Sequence, residues 1–330
     1  MINIALIGYG YWGPNVARQL SVNKRIQFSC ICDRKEERLQ RARELYLDQV
    51  SYSQNADEII NNPEITGICL AVETCAHFEL ARKALLAGKH VYVEKPFTST
   101  VAEALELQRL AEKKELIIHV DHIMVFHPAI QKIKDLIETG ELGDILYFDA
   151  QRMNLGQIKK DVSSMWDLAV HDLSIIDFLA GSREPFFISA VGEKYYNPKE
   201  TFTLLTLRYE GFIAHIKSNW ISPLKERKLI VAGTKKMVVF DDMKISEKLM
   251  VYDKGVDIIG ENTDIEYMDY AVKTRTGDVL IPFLPVGDAL YSSVDHFVSC
   301  IENNTQSLTG PESAIHVIKI LEEADKKMNR

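Results

Sequence analysis

Two groups of residues in this chain have types and spacing suited to chemistry. The first is Glu94-Lys95-Pro96, at the carboxyl end of the apolar run His90-Val91-Tyr92-Val93. A lysine held by a following proline can donate to a substrate hydroxyl or lower its pKa. A solitary lysine at a strand end is more often only solvated; here its place after a buried strand favours function. The second group is Asp167 and His171, inside an apolar pattern at helical spacing from Ser163 to the terminal Gly181. Four apart on an amphipathic helix, the two side chains share a face. An aspartate there can orient an imidazole and stabilise its protonated form, which makes a general base. A helical histidine without such a partner is more often structural or a surface residue. Arg152 and Asn154, on a strand beginning near residue 144, and Lys159 beyond it are candidate substrate contacts by position.

Stepping upstream, the start of the chain carries the elements that would hold a co-reactant. Ile2 to Ile7 is a short apolar run rich in β-branched residues, which reads as a buried parallel strand. Gly8-Tyr9-Gly10-Tyr11-Trp12-Gly13 follows, then Pro14 in a favoured place at a helix start. Three glycines in G-x-G-x-x-G spacing between a strand and a helix serve a tight turn, close approach of backbone to a pyrophosphate, and helix packing. The helix N-terminus would hold the phosphates. A second strand, 26–32, ends at Asp33, 20 residues beyond Gly13. At that offset an acidic side chain reaches the ribose hydroxyls and repels a 2′-phosphate, so NAD is expected rather than NADP. Arg34 can pair with a phosphate or lie over the adenine, and Asp33 can also cap the helix that begins near Lys35.

Strand and helix patterns continue to alternate up to residue 120, which predicts a parallel sheet covered on both faces. Ligands bind such sheets at the carboxyl ends of the strands. Ala71, Thr74 and His77, at and after the strand 66–72, and Glu94, Lys95 and Pro96, after 90–93, are therefore expected to line the cofactor crevice together with Gly8, Gly10, Tyr11, Trp12, Gly13, Asp33 and Arg34.

The whole chain has 330 residues, 46% apolar and 26% charged, with net charge −8. That length predicts two domains, and the charge argues against nucleic-acid or anionic-membrane partners. Five cysteines without paired C-x-x-C spacing suggest neither a disulfide framework nor a zinc site, so no metal is expected and a reducing, cytoplasmic setting fits. No apolar run has the length of a membrane span, and the first residues read as a strand rather than a leader.

After residue 181 the pattern changes to strands, near 185–193, 201–209, 212–220, 229–232, 237–241 and 249–253, and closes with helices near 287–303 and 311–328. Glu210-Gly211 marks a hairpin. Residues 254–280 lack clear periodicity and read as a loop over the site. The fold class is an α/β Rossmann domain over 1–120 with an α+β domain over 121–330.

These stretches resemble the glucose-fructose oxidoreductase and inositol dehydrogenase family, often called Gfo/Idh/MocA. The resemblance rests on the glycine loop, on residues 87 to 97 (Ala-Gly-Lys-His-Val-Tyr-Val-Glu-Lys-Pro-Phe) and on Phe126-His127-Pro128-Ala129. It implies a C-terminal domain with an open, mainly antiparallel sheet that forms a homodimer or homotetramer contact. It implies a cis Lys95-Pro96 peptide, with Lys95 catalytic or substrate-binding. It also implies that Asp167 and His171 match the family's Asp-x-x-x-His pair, the histidine taking a hydroxyl proton. The chain departs from the pattern at Ser163, Ser164 and Ser174, where Asp172 and Asp177 either substitute or face water. By resemblance the protein is an NAD-dependent dehydrogenase acting on a secondary alcohol of a sugar. In texture the loop and the Trp166–Asp172 segment look like members that oxidise the 3-hydroxyl of UDP-N-acetylglucosamine-type substrates. A free-sugar or inositol dehydrogenase and a non-catalytic NAD-binding regulator are the competing readings.

Overall fold

The computed structural model describes residues 1–160, 162–259 and 271–328. The chain forms two compact units. One is Met1–His127 with Gly287–Glu322, and the other is Pro128–Val286 with the residues from Glu323. The boundary expected near 120 falls at 127, but the second domain is not the single stretch 121–330. Residues 287–322 belong to the N-terminal unit because Val294, Phe297, Val298 and Cys300 are buried in one core with Ile4, Leu6 and Tyr92.

In that unit β1 (Ile2–Ile7), α1 (Gly13–Val22), β2 (Ile26–Cys32), α2 (Glu36–Tyr46), β3 (Ser51–Ser53), α3 (Ala56–Asn61), β4 (Gly67–Leu70), α4 (Thr74–Leu86), β5 (His90–Val93), α5 (Val101–Lys114) and β6 (Ile118–Val120) alternate. The strands are all parallel, in the order β3-β2-β1-β4-β5-β6. This is the doubly wound order of dinucleotide-binding sheets. Central β4 is buried along its whole length, as a strand covered on both faces must be. Helix α4 stops where Gly88 takes φ 77, and α5 starts in a Thr100/Glu103 capping box.

The second unit opens with α6 (Pro128–Glu138) and β7 (Ile145–Leu155). A π turn over Met165–Ala169 leads into α7 (Val170–Ala180), and then come β8 (Phe187–Glu193), β9 (Phe202–Tyr209), β10 (Phe212–Asn219), β11 (Ile221–Gly233), β12 (Met237–Asp241), β13 (Leu249–Ile259) and β14 (Ala271–Leu280). Helices α8 (Ala289–Asn303) and α9 (Pro311–Met328) complete the chain. The sheet order is β14-β13-β12-β11-β7-β10-β9-β8, antiparallel except for the parallel β10–β7 pair. Register puts Leu205, Ile216, Ala150, Leu229, Phe240 and Leu249 in one row, all buried. The adjacent row on the other face, Thr206, His215, Asp149, Ile230, Val239 and Met250, is partly exposed. Thr203-Leu204-Leu205-Thr206-Leu207 thus alternates between the faces, which is why it is more apolar than a solvated strand.

Two expectations are overturned. The stretch 254–280 is not a loop over the site: β13 runs on to Ile259 and pairs with β14, while 260–270 lie outside the described residues. The pair lacks apolar alternation because cross-strand ion pairs serve it instead, with Arg275 bound to Asp253 and Asp257. The helix expected from 163 to 181 is not amphipathic. It is a π turn followed by an α-helix buried almost all round, and Asp172 and Asp177 are only 2% and 8% exposed.

Candidate active site

The glycine loop is shaped by the chain's own backbone at two of its three glycines. Gly8 has φ 101, and a Cβ there would stand 2.3 Å from the Ala71 carbonyl oxygen; a Cβ on Gly13 would stand 2.2 Å from that of Gly8. Gly10 is different. A Cβ there meets nothing closer than the Arg38 guanidinium at 3.4 Å, so no backbone neighbour demands a glycine. Helix α1 starts without a side-chain cap, leaving its positive end open to an anion. A loop with room over Gly10 and an uncapped helix behind it fits the pyrophosphate of NAD. Tyr11 is 92% exposed beside it, and Trp12 is half-buried.

Asp33 at the end of β2 is buried and accepts hydrogen bonds from the N–H of Tyr9 (2.8 Å) and of Lys35 (2.9 Å) and from Arg38 (3.1 Å). Its carboxylate ties the glycine loop to the strand end. It does not cap α2, whose N-cap is Lys35 with no side-chain bond. Arg34 is exposed, and it is Arg38, a residue the linear motif did not point to, that pairs with Asp33.

At the next strand ends, Ala71 and Thr74 are partly exposed. His77, expected to line the crevice, is instead buried, with Nδ1 2.9 Å from the Pro96 carbonyl oxygen and Nε2 3.2 Å from that of Val72. Its ring straps the loop after β4 to the loop after β5. Burial pushes its pKa down. The strapped segment holds Glu94, buried, Lys95, half-exposed, and Pro96, buried, with a cis Lys95-Pro96 peptide as the resemblance implies.

In the second unit, Asp167 lies in the π turn and His171 in the first turn of α7, both half-exposed. A π turn widens the helix locally, a distortion that recurs at functional sites. Two donors fix the Asp167 carboxylate: Lys159 Nζ at 2.6 Å from Oδ1 and the Trp220 indole N–H at 3.2 Å from Oδ2. The Asn197 side-chain amide holds the Lys159 carbonyl in turn (2.5 Å). Lys159, expected as a substrate contact, is thus placed on the acid of the pair. Arg152 does not face outward: its guanidinium is bidentate on Asp172, at 3.1 and 2.8 Å, and both side chains are buried. Asp172 therefore does not face water; its carboxylate is taken up by Arg152. Asn154 stays half-exposed on β7. Trp220 and Asn197 carried no local signal, since each reaches the site through a strand or loop distant in sequence.

Among the described residues no group of three His, Cys, Asp or Glu side chains is placed to hold a metal ion, and no helix is long and apolar enough to cross a membrane. All five cysteines are free.

Comparison with known proteins agrees with this architecture. The model of an oxidoreductase family with an NAD-binding Rossmann fold matches residues 2–122, and that of the GFO/IDH/MocA C-terminal domain matches 130–239. The chain belongs to this family and is an NAD-binding oxidoreductase. It is 28% identical to the uncharacterized oxidoreductase YhhX of Escherichia coli over 280 residues, 80% of each chain. It is 34% identical over 130 residues to the UDP-N-acetylglucosamine 3-dehydrogenase of Acidithiobacillus ferrooxidans, 39% of this chain and 40% of that one. A solved structure of the latter superposes with a TM-score of 0.80 at 21% identity, covering 99% of this chain and 97% of that chain.

Proposed function

We propose that this oxidoreductase transfers a hydride between NAD and a secondary carbinol carbon on the sugar of a nucleotide sugar of the UDP-N-acetylglucosamine type. The observation that carries the reading is half-exposed Asp167, anchored by Lys159 and Trp220 and four residues before half-exposed His171. Such an anchored acid orients an imidazole as a base for a hydroxyl proton. The nucleotide-sugar part is supported by the relative of that activity.

Bound NAD would supply the hydride acceptor, and the protein's own residues handle the proton. His171 takes the hydroxyl proton, Asp167 stabilises the imidazolium that forms, and the Lys95 ammonium donates to the oxygen as charge develops on it. The alcohol becomes a ketone with release of one proton, and reduction runs through the same groups in reverse. The partly exposed row of the second sheet, with Ile230, Val239 and Met250, supports a homo-oligomer formed through that face. Light scattering of a Val239→Glu variant tests it, a dissociated species being expected.

The function is tested by NADH formation against UDP-sugars, dTDP-sugars, free hexoses and inositols. Turnover confined to free polyols would overturn the nucleotide-sugar assignment in favour of an inositol-type dehydrogenase. His171→Ala and Lys95→Ala should each lower kcat/KM by roughly 10²–10⁴-fold while NAD still binds; unchanged turnover in both would overturn the roles given to them.

A further inference from the structure

The N-terminal unit buries a continuous polar chain that the reaction above does not use. Tyr92 on β5, His119 on β6, Asp121 just beyond it and Ser293 on α8 are each 1% exposed or less. Buried polar groups are costly unless bonded, so the direction of each bond is informative. Ser293 Oγ donates to Asp121 Oδ1 at 2.8 Å, which uses its one hydrogen. His119 Nε2, 2.9 Å from Ser293 Oγ, must therefore carry a hydrogen and donate it to that hydroxyl. In a neutral ring Nδ1 is then an acceptor, and Ser307 Oγ, 2.9 Å away, is its donor. Tyr92 OH also donates to Ser293 Oγ, at 3.2 Å. Burial, with His296 and His122 nearby, pushes the His119 pKa well below the ordinary imidazole value, which keeps the ring neutral. The ring is held flat against Tyr92, centroids 4.8 Å apart. Every hydrogen along this line points from half-buried Ser307 toward Asp121.

At the inner end Asp121 lies within hydrogen-bonding reach of Glu94, the residue before Lys95. Glu94 Oε1 and Asp121 Oδ2 are fully buried and without a hydrogen-bond partner, and the unpartnered Trp12 indole lies near the Asp121 carboxyl. Two ionised carboxylates offer each other only acceptors, whereas one proton between them satisfies both. The groups around the pair are Tyr92 on β5, Cys69 on β4, the Trp12 indole from the glycine loop, Ser293 on α8 and the Lys95 ammonium. His122, buried beside Lys95, is held neutral by the same surroundings.

We propose that Glu94 and Asp121 hold a single proton between them beside Lys95, and that Ser293, His119 and Ser307 form the conduit through which this proton exchanges with water. In the loading direction water gives a proton to Ser307, Ser307 to His119 Nδ1, His119 Nε2 to Ser293, and Ser293 to Asp121. Each hop breaks one O–H or N–H bond and forms another, and one proton moves in all. The pair then presents one negative charge to Lys95 instead of two, which makes Glu94 and Asp121 positioning residues for the ammonium. That last step rests on the role of Lys95 proposed above; the proton pair and its conduit do not.

Infrared spectroscopy of the protein without cofactor or substrate tests the inference separately from the dehydrogenase reading. Wild type is expected to show the carbonyl stretch of a protonated carboxyl at neutral pH. Glu94→Gln should lose it, because the amide donates to Asp121 and leaves it ionised. On transfer to D2O the band should shift about tenfold more slowly in Ser293→Ala than in wild type, the loss of one relay hydrogen bond. Ser307→Val, at the half-buried end, should slow it likewise and serves if Ser293→Ala does not fold. Absence of the band in wild type, or its survival in Glu94→Gln, would overturn the shared proton. Exchange at the wild-type rate in the serine variants would overturn the conduit.

Discussion

The two units keep ionisable groups inside by opposite means. In the N-terminal unit, where buried Asp33 keeps its ion pair with Arg38, the other buried groups are pushed toward their neutral forms: burial and Asp121 raise the Glu94 pKa, and burial pushes His77, His90, His119, His122 and His296 below the ordinary imidazole value. In the C-terminal unit charge is kept and matched: Arg152 with Asp172, Lys194 with Glu200, Lys159 with Asp167, and Lys248 and Arg227 with Asp242. A matched pair needs its partner present, whereas a neutralised group needs only the right pH. The unit with the glycine loop is therefore the one whose interior answers to solvent protons, and the unit with Asp167 and His171 holds its interior with fixed partners.

Halving a matched pair should have the largest effect. Asp172→Ala leaves the Arg152 guanidinium buried without a counter-charge, and urea unfolding should show a loss of about 3–5 kcal/mol. Adding Arg152→Met to that variant should recover most of it, since replacing both partners leaves no charge uncompensated. Equal stability of single and double variants would mean that the pair does not matter.

Acid should act on the other unit, by less per residue. Below about pH 6.5 each of the five histidines binds a proton in the unfolded chain more readily than in the folded unit. Stability then falls as pH falls, by up to about 1.4 kcal/mol per pH unit for each until its folded pKa is passed, which for His122 is about 3. Hydrogen exchange at neutral and mildly acidic pH should show β5 and β6 losing protection before β7 and β10. The reverse order would remove the contrast between the units.

Glu94 runs in the opposite sense and involves one proton only. Its folded pKa lies above the ordinary 4.5, so its contribution is full below that pH and is lost as pH rises through the folded value. Thermal melts against pH should show this decline in wild type and not in Glu94→Gln, which cannot titrate. The smallest effect is expected from Lys159→Ala. The Lys159 side chain is 42% exposed, so the ion pair contributes under about 1 kcal/mol to folding. Removing that cation should still favour the imidazolium at His171, moving the rise of turnover to higher pH; an unchanged pH profile would argue against the role of Lys159 on Asp167.

Much of the scaffold was legible because it is written in local periods. The strands 2–7, 26–32 and 90–93, the helix 311–328 and the Glu210-Gly211 hairpin stand where alternation and turn residues put them. The misreadings occur where a long-range partner supplies what periodicity lacks. Arg275 with its two aspartates makes strands of a stretch that reads as loop, and Arg152 turns Asp172 from a surface acid into half of a buried pair. The carry-over of residues 287–322 into the first unit was invisible for the same reason. An apolar helix such as α8 does not state which core it will enter.

By itself the sequence determined the glycine loop, the acid after β2, the lysine after β5 and the spacing of Asp167 from His171, because each is a short-range pattern enforced by strand and helix geometry. Only the tertiary structure decided which buried groups are pushed toward their neutral forms, Glu94 upward and His119 downward in pKa. Protonation depends on what surrounds a side chain, and the neighbours come from far along the chain: Ser293 meets Asp121 across 172 residues. No local pattern encodes that meeting, and it is what separates a buried acid that keeps its proton from one that gives it up.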